Sequence, residues 1–457
     1  MSCRSQIANA RLKGGPARLP TTALGILMLV LAACSSNTAD RVVVAPTEQP
    51  KEAQIPAADD ADEARGERRR YDPDQFIDPL HMRGREPVRV ALLLPFSSNN
   101  ESARRVATSM FEAAQLAAFG AADDRFLLLP KDTKGTPDGA SAAARAALAD
   151  GAELLLGPVY GSSVEPVARV ATAANVPVIA FTSDTDRLGN GVYALSFPPE
   201  EEIQRITEFA LQTGRDKFGL ISPGNRFGQR VATSFREEVA ASGGTLVHEE
   251  IYEQDVEAMR APARRLAQYS TKATVEPTDS PTPEDRYRFQ PQPYGGDGGY
   301  QAVLVPERGT LLRALAPLFP YYNVNIDAVK LLGISAWNDP RLMREPALRG
   351  AWFAGPDPEV SAAFKTAFED MFGKAPPRLA SLSYDATLLA ARLARSAGRR
   401  RRFEREAITD PNGYFGADGL FRLLPDGSVE RGLAVMEINS TEIKVIDPAP
   451  RSFAPAF

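Results

Sequence analysis

The chain is poor in the residues most often used for covalent and metal chemistry. Its 457 residues include two cysteines and two histidines. Cys3 and Cys34 both lie near the N-terminus, so the sequence after residue 34 holds no disulfide, no CxxC site and no thiol nucleophile. His81 falls in a stretch read below as linker, which leaves His248 for the folded part. A histidine-rich zinc site is excluded, and a Ser-His-Asp triad would have to use His248. That residue lies in 245–252, whose alternating character reads as a half-exposed strand. There is no phosphate-cradling GxxxxGK[S/T] loop, and Gly295-Gly296-Asp297-Gly298-Gly299 reads as a flexible loop. Excess positive charge is lacking too: a formal net charge of -5 argues against a general nucleic-acid binder. No two carboxylates are marked out by position for paired acid–base hydrolysis. The expectation is a protein with no catalytic residue, no metal and no cofactor.

What the chain does have is apolar patterning. With 44% hydrophobic and 24% charged residues it has the composition of a globular protein, long enough for two or three domains. Short apolar runs at 88–96, 125–130, 153–157 and 176–182, with a weaker one at 191–197, read as buried strands. Helices fit between them at about 101–119, 138–150 and 162–174, starting near the polar residues Ser102, Asp138 and Ser162. This alternation predicts a doubly wound α/β domain with a mostly parallel sheet flanked by helices. Ligands of such sheets bind where the strands end. Those ends carry Ser97 to Asn100, Lys131-Asp132, the loop from Gly157 to Ser163, and Thr182-Ser183-Asp184.

The alternation repeats after residue 197: helix 199–214, strand 217–222, helix 229–242, strand 245–252 and helix 256–269. A polar, Pro- and Gly-rich insert, 271–299, reads as a mobile surface loop, after which strands recur at 302–305, 328–334 and 350–354. Glu307-Arg308 and Trp337-Asn338-Asp339 end strands here. Two such halves predict two lobes with a cleft, since a single core rarely grows past about 250–300 residues. Long helices are expected at 359–372 and 381–396, and short strands over 416–445 with a hairpin at Pro425-Asp426-Gly427. Glu200-Glu201-Glu202 sits at a helix start and the four arginines 399–402 at a helix end, where the dipole favours each sign of charge and a solvated run is expected.

The first 33 residues read as a signal peptide. Arg4, Arg11, Lys13 and Arg18 precede an apolar run, 22–33, too short to span a bilayer comfortably. The end of the run, Leu31-Ala32-Ala33-Cys34, resembles the bacterial lipobox. The resemblance implies cleavage before Cys34 and its acylation by chains such as palmitate; an ordinary signal peptide or anchor helix is the alternative. Several acyl chains anchor stably, at about 0.8 kcal/mol per buried methylene. Ser35, where a retention signal would have Asp, implies the periplasmic face of the outer membrane. Residues 34–86 form a spacer rich in Ala, Pro and charge, expected to be disordered and to give the folded part reach.

The arrangement resembles the type I periplasmic-binding-protein fold in its branched-chain amino-acid-receptor-like branch. The likeness rests on Val90 to Phe96, Lys131 to Gly135, Leu156 to Ser163, Pro177 to Phe181, Phe227-Gly228 and Ser383 to Ala386. It implies two lobes joined by three crossings: 87–198 and 350–402 in lobe I, 199–349 and 403–457 in lobe II, with closure about the hinge. Within that fold the lipobox, spacer, ALLLPFS opening, LLGPVYGSSV loop, NRFGQ turn and GLFRLLPDGSVER tail resemble the outer-membrane lipoprotein activators of penicillin-binding proteins. That resemblance implies a non-catalytic regulator of peptidoglycan synthesis whose partners are a penicillin-binding protein and, through the anchor, the membrane.

The alternative is a solute receptor of an ABC importer with an amino-acid-like small-molecule ligand. Receptors of the fold hold a ligand carboxylate with hydroxyls and N–H groups of two loops. The matching positions are Ser162 and Ser163 in one loop and Thr182, Ser183 and Asp184 in the other. Helix capping is the competing role for Ser162 and Ser183. Asp184 stands where receptors often have Thr, and Phe227 where they have Tyr. The first opposes a ligand carboxylate and the second removes a hydroxyl donor.

Overall fold

The computed structural model describes residues 86–123, 125–183, 187–270, 299–396 and 402–453. The signal peptide, Cys34, the spacer up to residue 85, Asp184, residues 271–298 of the insert and Arg399 to Arg401 lie outside the described residues. Among the described residues no helix is long and apolar enough to cross a membrane.

The first lobe is built on β1 (Val88–Leu94), all of whose residues are buried. Successive side chains of a strand point to opposite faces. Val88, Val90, Leu92 and Leu94 therefore enter one apolar cluster, and Ala91 and Leu93 enter another. A strand covered on both faces reads as a continuous apolar run, which is how it appears in the sequence. Around it, in chain order, are α1 (Glu101–Ala121), β2 (Phe126–Asp132), α2 (Pro137–Ala149), β3 (Leu154–Leu156), α3 (Val164–Ala173), β4 (Val178–Ala180) and β5 (Val192–Ala194). The sheet order is β2-β1-β3-β4-β5, parallel throughout. The helix starts differ slightly from expectation. Asn100 caps α1, accepting from Ala103 N, and Thr136 caps α2, accepting from Gly139 N. Both lie outside the helix in extended conformation, where a side-chain oxygen can turn back to the free N–H groups; Ser102 and Asp138 sit too far in.

The second lobe follows: α4 (Pro199–Gln212), β6 (Lys217–Pro223), α5 (Arg226–Ala241), β7 (Thr245–Tyr252), α6 (Arg260–Ala267), β8 (Ala302–Leu304), α7 (Gly309–Leu315), β9 (Lys330–Gly333) and β10 (Trp352–Gly355). The chain then forms α8 (Pro358–Phe372), α9 (Ala380–Ser396), β11 (Tyr414–Gly416), β12 (Gly419–Leu423), β13 (Val429–Arg431), β14 (Ala434–Ile438) and β15 (Ile443–Asp447). The second sheet has the order β7-β6-β8-β9-β10-β14-β15, with β14 antiparallel to both of its neighbours. Both predicted α/β sheets and the tail hairpin are therefore present, the hairpin as β12–β13.

The crossings differ from those implied by the resemblance. β10 pairs in parallel with β9, Trp352 opposite Leu332, so it belongs to the second sheet and not to the return of lobe I. Conversely Phe403, Ile408, Phe421, Leu423 and Val429 pack in the cluster that holds β1, α1 and α9. The tail up to Arg431 thus completes the first lobe, and only β14 and β15 return to the second. The tip of the tail hairpin also covers the outer edge of β5, where Ala194 N donates to Gly427 O at 2.8 Å. Arg402, expected to be solvated, is buried with its Nε 3.6 Å from Glu153.

Candidate functional site

Parallel strands deliver their carboxyl ends to one edge of each sheet. In the first lobe β3 runs into a loop through the cis Gly157–Pro158 bond and a short 3-10 turn, Gly161–Ser163. Phe181 N donates to Pro158 O at 2.9 Å, which ties the loop after β4 to the loop after β3. The turn separates the two serines. Ser162 is exposed, whereas Ser163 is 1% exposed. Its hydroxyl does not cap α3 and has no hydrogen-bond partner among the described residues. Thr182 is buried and Ser183 exposed. Beside these loops lies a cavity of about 180 Å³, lined among others by Pro95, Asn100, Val106, Met110, Tyr160 and Leu379. Its wall is mostly apolar, with polar groups at Asn100, Ser102 and Tyr160.

On the second lobe Phe227 is 40% exposed in the first turn of α5. Asn225 caps this helix, its Oδ1 accepting from Gly228 N at 2.8 Å. Gly228 is required there because a Cβ would stand 1.8 Å from Pro223 O. Glu307, just past β8, is buried with its carboxylate fully engaged. Oε2 accepts from Tyr252 Oη at 2.7 Å and from Gln254 Nε2 at 3.3 Å, and Oε1 accepts from Arg308 N at 3.0 Å. Burial and this carboxylate together push the Tyr252 phenol upward. Trp337 Nε1 donates to Glu307 O at 2.9 Å, fixing the loop after β9 against the loop after β8.

A dense group of charges lies where the chain passes between lobes. Arg230 of α5 grips Glu200 with Nε at 2.5 Å and Nη2 at 2.8 Å, and its Nη1 donates to Ser183 O at 2.6 Å. Glu202 is buried, accepting from Ser335 N at 2.8 Å and from Arg378 Nη2 at 3.3 Å. Arg378 and Arg431 each stand 4.4 Å from the centre of the Phe197 ring. Burial raises Glu202, and it pushes Glu201 up to about 7, with Glu430 and Glu200 adding to the rise and the N–H of Arg431 opposing it. Asp385 is also pushed up to about 7, by burial first and by Asp418 next.

Of the residues singled out from the sequence, Ser163 and Thr182 are buried beside the loops, Ser162, Ser183 and Phe227 are exposed, and Asp184 and Cys34 lie outside the described residues. Sequence patterning does not single out Arg230, Arg378 and Arg431, which come from separate stretches that no local signal links. His248 is a strand histidine, its Nε2 2.9 Å from Glu250 Oε1 and its ring stacked on Tyr269. Among the described residues no group of three or more His, Cys, Asp or Glu is placed to hold a metal.

Comparison with known proteins places these features. A family profile described as periplasmic binding protein matches residues 87–275. A stretch of 98 residues is 29% identical to the penicillin-binding protein activator LpoA of Enterobacter sp. (strain 638). It covers 21% of this chain and 14% of that relative, so the likeness spans a small part of the relative's length. Among solved structures, a Rhodospirillum rubrum protein assigned as a branched-chain amino acid ABC transporter superposes with a TM-score of 0.63 at 18% identity, over 79% of this chain and 100% of that one. A branched-chain amino acid ABC transporter periplasmic ligand-binding protein of Burkholderia xenovorans LB400 gives 0.60 at 16%, over 80% and 97%. The substrate-binding protein LivJ of Streptococcus pneumoniae, in complex with isoleucine, gives 0.50 at 16%, over 79% and 100%. With two α/β lobes joined by three crossings, the chain has the type I periplasmic-binding-protein fold.

Proposed function

We propose that the protein is a non-catalytic lipoprotein, held through acylated Cys34 at the periplasmic face of the outer membrane, that binds and activates a penicillin-binding protein. Its effect is to regulate peptidoglycan synthesis. The observation that carries this reading is the stretch of identity with a penicillin-binding protein activator. Two further features support it. A spacer of the length of residues 34–86 would give the folded part reach from a membrane toward the cell wall. Polar groups at the strand ends are engaged by the chain's own groups: Arg230 on Ser183 O, and Tyr252, Gln254 and Arg308 on Glu307. The test is capture by the protein from detergent-solubilised membranes of the source organism. Recovery of a bifunctional penicillin-binding protein is the expected result, and failure to retain any peptidoglycan synthase contradicts the reading.

One observation favours a second reading, a receptor for an amino-acid-like solute of an ABC importer. The buried, unpartnered hydroxyl of Ser163 and the mostly apolar cavity of about 180 Å³ suit a small molecule with one polar end. On this reading Ser163 and Thr182 are the candidates for its polar end, with Ser162, Ser183, Phe227 and, outside the described residues, Asp184 as further candidates. A bound ligand stabilises the folded state by about 2.7 kcal/mol at a hundred times its Kd. Thermal shift with the free amino acids therefore separates the two readings.

A further inference from the structure

The outer edge of a sheet presents a row of unpaired N–H and C=O groups, and folded proteins commonly blunt it. The two large sheets have four edges, β2, β5, β15 and β7. Three of them are blunted. β2 carries Pro130, which has no N–H to offer. Its position faces outward, since Arg125 O and Thr133 N on either side bond inward to Val88 and Leu94. β5 is covered by the tail hairpin, Ala194 N donating to Gly427 O. β15 carries the exposed Lys444 and runs into Pro448 and Pro450. β7 has no proline, no lysine and, among the described residues, no covering strand. Its register with β6 slips once near its start, and from His248 to Tyr252 it pairs residue for residue with Gly219 to Pro223. Tyr252 O accepts from Gly224 N at 2.8 Å, so His248, Glu250 and Tyr252 turn their backbone groups toward β6. Glu249 and Ile251, between them, turn N–H and C=O outward.

We propose that the β7 edge is the docking site for the partner, which adds an extended, basic segment to the second sheet as a further strand. This rests on the reading above, that the partner is a penicillin-binding protein. Main-chain bonds to Glu249 and Ile251 would hold such a segment, and its alternate side chains would meet the two faces of the edge. Each face offers an apolar contact. Glu249 bonds Arg236 of α5, so Ile251, two residues on and 50% exposed, shares the α5 face. On the opposite face Tyr269, 41% exposed, stacks on His248 with ring centres 3.9 Å apart. Charge selects the occupant. From Thr245 to Met259 the chain has five carboxylates and no lysine or arginine. Arg236, Arg265 and Arg260 answer Glu249, Glu250 and Glu257. Glu253 and Asp255, exposed just past the strand, have no cation paired with them among the described residues. A second copy of β7 would bring like charge against them, whereas lysine or arginine on an incoming strand would complement them.

The test is hydrogen exchange of the full chain in detergent, alone and with the source organism's bifunctional penicillin-binding protein. In the chain alone the outward amides of the 245–253 segment should exchange freely, and on adding the synthase they should slow by about tenfold or more. A segment already protected in the chain alone overturns the proposal, and the concentration dependence of that protection tells whether a second copy or the chain itself covers the edge. Ile251→Pro removes an outward N–H and leaves the inward bonds of Glu250 and Tyr252 in place. It should weaken binding of the synthase by about tenfold or more with Tm unchanged. Should the proline lower Tm, Ile251→Lys at the same exposed position takes its place, since a lysine on the edge repels a basic strand. Glu253→Lys should weaken binding at low salt and have little effect at high salt. Binding that these variants leave unchanged overturns the proposal. Retention of the synthase with unchanged exchange over 245–253 overturns this inference alone, whereas failure to retain any synthase overturns it together with the reading on which it rests.

Discussion

At the scale of single residues, buried polar groups decide most of what is specific to this chain. The buried side chain of Glu307 accepts from Tyr252, Gln254 and Arg308 N. Tyr252→Phe removes the shortest of these bonds and leaves a buried carboxylate short of a donor. It should lower stability by about 1–3 kcal/mol in urea denaturation, and an unchanged midpoint would show the site to be wetter than described. Asp385 carries a testable pH dependence. Its carboxyl is pushed up to about 7 from 3.8, so the folded state binds its proton more tightly than the unfolded chain does. Its contribution to stability is therefore largest in acid and falls as pH rises from about 4 through about 7. Asp385→Asn keeps an oxygen for Ala417 N, so it should gain on the wild type by about 1–3 kcal/mol at pH 8 and little at pH 5. Comparing the denaturation midpoints of the two proteins at each pH checks this.

At the scale of elements, what the sequence reveals and what it hides have separable causes. The strand at 88–96 is legible because β1 is buried on both faces, and two covered faces demand an unbroken apolar run. The Glu101–Ala121 helix and the hairpin of the tail are legible for similarly local reasons, helical spacing and a Pro-Asp-Gly turn. The allegiance of β10 is not. Trp352–Gly355 would suit either sheet, and only its pairing with β9 and β14, set by distant residues, decides. The same holds for the site. Ser162 and Ser163 are indistinguishable in sequence, and the 3-10 turn alone buries one and exposes the other. A close approach that no pattern announces lies at the end of β9: a Cβ on Gly333 would fall 2.1 Å from the indole of Trp337, which is fully buried. Gly333→Ala should therefore displace Trp337 and its bond to Glu307 O, with a loss of about 1–3 kcal/mol or more in denaturant unfolding. A neutral result would mean the loop after β9 can shift freely.

At the scale of the whole molecule, two α/β lobes face each other with a pocket of modest size in the first and a set of ionic contacts at their crossings. A receptor that closes around a solute needs free polar groups in the cleft to trap it. Ser163 offers a buried hydroxyl with no partner among the described residues, while the backbone of Ser183 and the carboxylate of Glu307 are already engaged. A docking protein needs an outer surface and no such trap. The most direct measurement is the rate of glycan polymerisation by the source organism's bifunctional penicillin-binding protein in detergent, with and without the purified full chain. The expected result is saturable stimulation that Ser163→Ala leaves intact, since that hydroxyl is buried and off the outer surface. No stimulation and no binding, together with a raised Tm on adding a free amino acid, would contradict the regulator reading and establish the receptor in its place.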